Sequence, residues 1–465
     1  MDFLKNISLS QPPEHFHLLV FISAISYIVF MPYLCFALGS SAISYWFNAR
    51  GRKENNLLYM KFSKELVEIV FYNKSLVAFL AVFPGLSIVF AYAQMLQSTP
   101  AISVDLAGFG FLLLFAGFIL LYSYKYTFHV QGILESYQGI LKAGSAGEQK
   151  TSDLESYSRR NVLTHRRSGR YGLALLISGT FLYASAIVVT ADPASWVQVE
   201  TVFDLFLSPG VWFKFLETLA LSAGITSLGI LFFFITLDIK KGIMEGGLSV
   251  IILATCRRLA AVSLIALPLL VLLNMLVLPE ASLSGTLYLL AGAAVSFLFL
   301  SAHFIYAYFK TSDRRAIAFG LIAFFLAGAA LTVNDHIALG TGSRQHAAVL
   351  AAASDKETDE LKSKLGIVSV TLTGEDIYNA RCSACHLFDT KKVGPPYNEV
   401  IPKYAGKKAQ LIAFVMSPVK INPDYPPMPN QGLRPAEADS IASYLIGKVL
   451  EGGKGKDTLM QKPSK

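Results

Sequence analysis

Residues 211–237 read VWFKFLETLALSAGITSLGILFFFITL, with Lys214 and Glu217 as the only charges. At about 1.5 Å rise per residue a helix of this length measures roughly 40 Å. That exceeds the ~30 Å hydrocarbon core of a bilayer. Further apolar runs lie at 16–45, 67–95, 104–127, 171–191, 257–278, 284–309 and 314–333. Of the 465 residues 53% are hydrophobic and 15% charged, whereas soluble domains carry about 25% charged residues. Mean hydropathy is +0.49. The sequence predicts an all-α polytopic bundle of about eight spans embedded in a lipid bilayer. The first run is too long, and its basic flank too weak, for a cleaved signal peptide, so it is expected to stay in the mature protein.

The connections orient the bundle. Arg50, Arg52, Lys53, Lys61 and Lys64 follow the first run, and Lys142, Lys150, Arg159, Arg160, Arg166, Arg167 and Arg170 follow the third. Lys240, Lys241, Arg257 and Arg258 follow the fifth, and Lys310, Arg314 and Arg315 follow the seventh. The stretches 96–103, 192–210 and 279–283 hold no Lys or Arg. Basic loops stay on the cytoplasmic side. The expectation is therefore a bacterial inner-membrane protein with its N-terminus and C-terminal tail on the periplasmic side. The formal net charge of +8 belongs to these loops, which argues against nucleic-acid binding.

After the spans, composition changes. The membrane part is read as 1–333, and 334–366 as a polar, Ala-rich connector carrying Lys356, Glu357, Asp359, Glu360 and Lys362. Residues 367–450 have the make-up of a small soluble domain, and 451–465 form a Lys- and Gly-rich tail expected to be disordered. Of the four cysteines, Cys35 and Cys256 fall in apolar runs and are read as small packing residues. Cys382-Ser383-Ala384-Cys385-His386 is a Cys-x-x-Cys-His sequence, the attachment signature of c-type haem. Its two thiols can form thioethers to the vinyl groups, and the histidine supplies an axial nitrogen. The redox and zinc uses of closely spaced cysteines are the competing readings.

The residues around this motif resemble the class I cytochrome c family. Gly374, Tyr378 and the segment to Arg381 look like its N-terminal helix. Gly394-Pro395-Pro396-Tyr397 matches its Gly-Pro turn, and Met428-Pro429 stands where its distal methionine is found. Residues 435–450, PAEADSIASYLIGKVL, match its last helix, with Tyr444 placed to cross near Tyr378. The resemblance implies one covalent haem c on Cys382 and Cys385, ligated by His386 and Met428. Pro395 would orient the histidine through its carbonyl, and Tyr378 is counted with it among the haem-binding residues. Met416 and Met460 are the weaker rivals to Met428. His/Met ligation raises the reduction potential and leaves no open iron position. That points to electron transfer rather than substrate binding.

The membrane runs resemble subunit I of the cytochrome bd oxidase family. The resemblance is carried by Phe16-His17-Leu18-Leu19-Val20-Phe21, by Tyr59 to Lys64, by Tyr183 to Trp196, and by Phe206 to Leu216. Where that family has a haem-ligating histidine in its fifth helix, this chain has Glu217. Where it has catalytic glutamates in its third, this chain has Ala107 and Phe115. Its long quinol loop is here reduced to 279–283, and its ninth helix is replaced by the cytochrome-like tail.

Ligand counting agrees. Of eight histidines, His15 and His17 start the first run, His129 and His165 lie on the inner side, and His336 and His346 are read into the external connector. His303 lies about 28 Å along the seventh run at ~1.5 Å per residue. No two face each other at one depth, so a haem b is the less favoured cofactor, with His17 its best candidate ligand. An ionisable group within a membrane is functional by default. Glu217, with Lys214 one turn earlier as a partner, is weighed between a proton-carrying or subunit-contacting role and a solvated helix end. Asp238 and Lys240 are read as interfacial.

Three functions follow from these readings. The first is a non-catalytic electron-transfer subunit of a respiratory membrane complex. It would relay electrons between other membrane subunits, among them a second bd-like one, and a periplasmic redox partner or soluble carrier. The second is a bd-type quinol oxidase with further haem b or d. The third is a transporter or anchor with a cytochrome sensor, for which the Phe83-Pro84-Gly85 break is the helical sign. Lys391, Lys392, Lys403, Lys407 and Lys408 form a basic patch suited to an acidic docking partner.

Overall fold

The computed structural model describes residues 12–143, 148–237, 247–365, 372–422 and 424–457. Eight helices among them are long and apolar enough to cross a membrane. They are α1 (Pro13–Lys53), α3 (Lys74–Met95), α4 (Ser103–Ala143), α5 (Glu148–Ala191), α6 (Pro209–Thr236), α7 (Gly247–Val277), α8 (Gly285–Thr311) and α9 (Arg314–Gly342). A shorter amphipathic helix, α2 (Leu57–Val70), lies between α1 and α3. The chain divides into two compact units, one over Leu18–Ser343 and one over residues 12–17 with Arg344 onward.

Local sequence sets the helix starts. Asn56 Oδ1 accepts the N–H groups of Leu58 and Tyr59 to begin α2. Ser284 and Asp313 do the same for α8 and α9 through the N–H groups of Leu287 and Arg315. These side chains satisfy amides that a helix leaves unpaired at its first turn. The chain stays helical through Phe83-Pro84-Gly85, where the sequence suggested a break in α3. Ala78–Val82 widens into a π turn, because Pro84 offers no N–H to the preceding turn. The Gly85 carbonyl accepts the Tyr183 hydroxyl of α5 at 3.2 Å.

Consecutive spans pair as hairpins, α4 with α5, α6 with α7 and α8 with α9, and α6 also packs on α5 and α9. Small residues let the backbones approach, as is usual where lipid removes the hydrophobic drive between helices. A Cβ at Gly39 of α1 would run into Ser222 and Thr226 of α6, and Ser222 Oγ donates to the Cys35 carbonyl at 2.7 Å. On the other side of α6, Ser263 Oγ of α7 donates to the Ala220 carbonyl at 2.7 Å. Cys35 and Cys256 are buried in this packing.

Several boundaries differ from the sequence reading. α9 does not stop at 333 but runs to Gly342, so His336 is buried within the bundle rather than lying in an external connector. Beyond Ser343 the presumed spacer is a second helix, α10 (Arg344–Lys364), with Leu350, Ala351 and Ser354 buried. The loop expected after the third run is largely helical, as α4 and α5 extend to Ala143 and back from Glu148. The last helix continues to Asp457, into the stretch read as a disordered tail. Asp238, Lys240, Lys241 and Met460 lie outside the described residues.

In the second unit a helix from Gly374 (α11, Gly374–Ile377) passes into a π turn over Tyr378–Cys382. It is followed by α12 (Lys408–Met416) and α13 (Pro435–Asp457). Thr373 and Asp376 close a capping box at the start of α11. Ile377, Tyr378, Leu411, Val415, Ile441, Ala442 and Leu445 form the core of this unit. α10 packs on α12 and α13.

Candidate functional site

The site grows from the end of α11. The N–H groups of Cys385 and His386 donate to the Cys382 carbonyl at 3.1 and 2.9 Å, so both cysteines and the histidine share one tight turn. The chain then folds back. Val393 and Gly394 donate to the Cys385 carbonyl, and Tyr397 and Asn398 to those of Leu387 and Phe388. This return places the Pro395 carbonyl 2.9 Å from His386 Nδ1. A carbonyl only accepts, so Nδ1 carries the proton and Nε2 keeps its lone pair for a metal.

Two neighbours hold the imidazole plane. Tyr397 stacks on it with ring centroids 4.9 Å apart and planes 13° apart, and a Cβ at Gly394 would fall on the ring itself. Only glycine fits that close approach. Burial, followed by the nearby Cys382, pushes the Tyr397 hydroxyl far above its ordinary titration range, so it stays neutral. Burial also raises the Cys382 thiol.

Cys382, Cys385, His386, Pro395 and Met428 all line one cavity of about 350 Å³, with Leu411, Val415, Ile441 and Leu445 among its apolar walls. Arg381 bridges its two sides by donating to the carbonyls of Gln431 and Gly432 at 2.9 and 3.3 Å. Gly432 takes a left-handed φ of 60° and closes the turn that follows Met428. Met416 sits at the end of α12, against the core of the unit, and is not part of the cavity wall. The donor set suits a haem: two thiols on one turn, an imidazole with Nε2 available, and a thioether in the same cavity. Tyr378 donates to the His386 carbonyl at 3.4 Å and stands 6.0 Å from the Tyr444 ring.

The cytochrome c family model matches residues 372–447. Cytochrome c-551 of Azotobacter vinelandii is 36% identical over 78 residues, which are 16% of this chain and 95% of that protein. The chain belongs to the cytochrome c family. Cytochrome c-552 of Hydrogenobacter thermophilus is 32% identical over 91 residues, 18% of this chain and 92% of its own length. Cytochrome c-551 of Pseudomonas denitrificans is 34% identical over 79 residues, 16% of this chain and 95% of that protein. No solved structure matches. The matched region is thus an electron-transfer domain with covalently bound haem c, joined to a multi-pass membrane bundle.

The crossing of α11 and α13 supports this site. A Cβ at Gly374 would overlap Tyr444 and the Ser440 carbonyl. Gly374→Val is expected to force the helices apart at an overpacking cost of about 1–3 kcal/mol. The measurement is the haem c content and thermal melting of the purified chain. A variant that melts like the parent would show that the crossing tolerates bulk.

Sequence reasoning missed the roles of Tyr397 and Arg381, and missed Asp335 and Asn274 as members of the Glu217 cluster. In the bundle, Lys214 Nζ lies 2.8 Å from Glu217 Oε1, 2.8 Å from Asp335 Oδ1 and 2.6 Å from Asp335 Oδ2. Asn274 of α7 donates to the other Glu217 oxygen. The expected Lys214 pairing is present, but Glu217 is buried to 3% side-chain exposure and is not a solvated helix end. His165 is buried with both ring nitrogens engaged, by Asn48 and Thr127. His129 pairs with Glu68 at 3.4 Å, and His17 and His303 are exposed. Ala107 is buried and Phe115 exposed. Among the described residues no cluster of three His, Cys, Asp or Glu side chains is arranged to hold a metal ion.

Proposed function

We propose that the chain is the electron-transfer subunit of a respiratory membrane complex. A single haem c on Cys382 and Cys385, ligated by His386 and Met428, would relay electrons between membrane partner subunits and a periplasmic redox partner. The observation that carries this reading is the His386 imidazole. It is held in one tautomer by Pro395 and clamped by Tyr397, in a cavity shared with Met428. With His386 and Met428 both as ligands the iron would have no open position, which suits transfer and not catalysis. When bound, the haem supplies a one-electron couple. The protein fixes the ligand, walls out water with apolar side chains and so sets the potential. The strict alternation of Lys- and Arg-rich connections supports placing this domain on the periplasmic side of a bacterial inner membrane. The bd-like helices then serve as a scaffold that docks other subunits.

The competing reading is a bd-type quinol oxidase with further haem b or d. It draws on His336, whose Nε2 is buried without a partner. The cavity beside it measures about 40 Å³, against about 350 Å³ at the cysteine motif, which favours the relay. The deciding experiment is a reduced-minus-oxidised spectrum of the purified chain, with pyridine haemochrome quantification and a carbon monoxide difference spectrum. One haem c per chain and no carbon monoxide shift are expected. Bands of haem b or d together with carbon monoxide binding would replace the relay by the oxidase.

The basic patch around the cavity predicts how a partner docks. Lys391, Lys392, Lys403 and Lys407 are exposed, and Lys403 borders the cavity. Lys408 is paired with Asp439 at 2.7 Å and drops out of the patch. Electron transfer to an acidic carrier should fall by about 10-fold or more between low and physiological salt, the scale of electrostatic steering. Stopped-flow reduction at varied ionic strength reads this directly. A flat profile would remove the patch from docking.

A further inference from the structure

The Lys214 cluster does not balance its charge. Glu217 and Asp335 bring two carboxylates, and Lys214 is the one Lys or Arg among the described residues lining the two cavities that meet there. Its ammonium is already committed to both acids. With both acids ionised, one negative charge remains in the membrane span, where uncompensated charge is costly. Two further polar atoms are buried at the cluster without partners: Nε2 of His336, a residue 4% exposed, and Oδ1 of Asn334, 6% exposed. His336 lines the smaller cavity with Lys214, Glu217 and Asp335, and Asn334 lines the larger with the same three. His336 Nδ1 is held by the Thr332 carbonyl at 2.8 Å, so the free nitrogen is the one at the cluster.

The larger cavity, about 110 Å³, also touches Asp192, Ser195, Ser208 and Pro279. These belong to the α5–α6 and α7–α8 connections, which close the same end of the bundle because one hairpin separates them. A single water needs about 10–15 Å³ of such space, so the cavity has room for several. Asp335 keeps 23% of its side-chain surface accessible, so this acid is not sealed into the packing. Of the remaining titratable neighbours, Asp192 of the α5–α6 connection is a third carboxylate, bonded by the Ser195 hydroxyl at 2.6 Å and the Ala194 N–H at 3.1 Å; the others are phenols and a thiol. Tyr27 of α1 bonds to Tyr92 of α3 at 3.2 Å and packs on Tyr183 of α5 and on His336, and Cys35 lies on the Thr218 carbonyl. α7 contributes the uncharged Asn274.

We propose that Glu217, Asp335 and His336 together hold one exchangeable proton, taken from and returned to water at that end of the bundle. Binding forms one O–H or N–H bond at the cluster as a hydronium ion gives up the proton and becomes water. No electron moves. The site is independent of the haem reading and would serve proton uptake or release across part of the membrane.

The test is infrared difference spectroscopy of the full chain in nanodiscs during pH steps, with and without deuterium oxide. A protonated-carboxyl band equivalent to one carboxyl per haem c, exchangeable in deuterium oxide, is expected. It should be lost in Glu217→Gln or in Asp335→Asn while the haem c spectrum stays unchanged. A band that persists in both variants would overturn the proposal, as would a band driven by sodium in place of pH. Should either variant fail to assemble, the parent chain answers the question by itself. A hydrophobic carbodiimide attacks protonated carboxyls, and peptide mapping should place the label on Glu217 or Asp335, with less at higher pH. No label on either acid at any pH would sink the idea.

Discussion

Replacing Met428 by alanine is expected to lower the reduction potential by about 0.1–0.3 V, within the ~0.8 V span that axial ligation and environment command. The haem should remain attached, because attachment rests on Cys382 and Cys385, which share the turn with His386 and not the loop that carries Met428. As the proposed ligand, the Met428 thioether would stabilise ferrous iron, so its loss would favour the ferric state. An alanine would also leave the iron a position open. Carbon monoxide, which the parent should not bind, should then bind the reduced variant. His386 keeps its tautomer throughout, since Pro395, Tyr397 and Gly394 do not depend on Met428. Met416→Ala is the control: that side chain packs on the core away from the cavity, so it should change stability and leave the potential in place. Redox titration of the three proteins decides the matter. An unchanged potential in Met428→Ala would mean that the sixth ligand comes from elsewhere.

The haem end of the chain was legible because its chemistry is local. Cysteines and histidine share one turn, the Gly-Pro turn lies nine residues on, and the methionine follows a Pro-rich stretch. Sequence spacing reports such features directly. Tyr397 was legible as part of a turn but not as a stacking partner, since nothing in spacing says which way a ring faces. Arg381, next to the first cysteine, could not be seen to reach Gln431 and Gly432 across the cavity.

The membrane end misled at one point with wide consequences. Helix α9 carries Asn334, Asp335 and His336 in its last third, and a hydropathy reading ends a span at such a triplet. Yet the apolar period continues through Leu331, Ala338 and Leu339, all buried. That period was the available signal. Extending the span would have brought Asp335 to the depth of Lys214, which lies 121 positions earlier in the chain. Polar residues inside a membrane end a span in a hydropathy count but, when paired, hold helices together in the fold.

Lys214→Met is therefore expected to be the most damaging single change in the bundle. It removes the cation between Glu217 and Asp335 and leaves two carboxylates facing each other across α6 and α9. Breaking a buried ion pair from one side typically costs about 3–5 kcal/mol, because the remaining charge stays desolvated and unpaired. Replacing the whole cluster, as Lys214→Met with Glu217→Gln and Asp335→Asn, should recover most of that loss, since a neutral, hydrogen-bonded set of similar volume has little desolvation to offset. Asn274 can still donate to the side-chain amide oxygen at position 217 in that triple variant. The second unit provides an internal reference, because its core draws on none of these residues and its haem c absorption should be the same in all three proteins. Thermal unfolding in detergent, followed by circular dichroism, should place the single variant well below the parent and the triple variant close to it. If the single variant melts with the parent, Lys214 is not holding the acids, and the pairing at 2.6–2.8 Å contributes nothing to the bundle. If the single and triple variants melt equally low, the loss comes from packing around the lysine stem and not from charge.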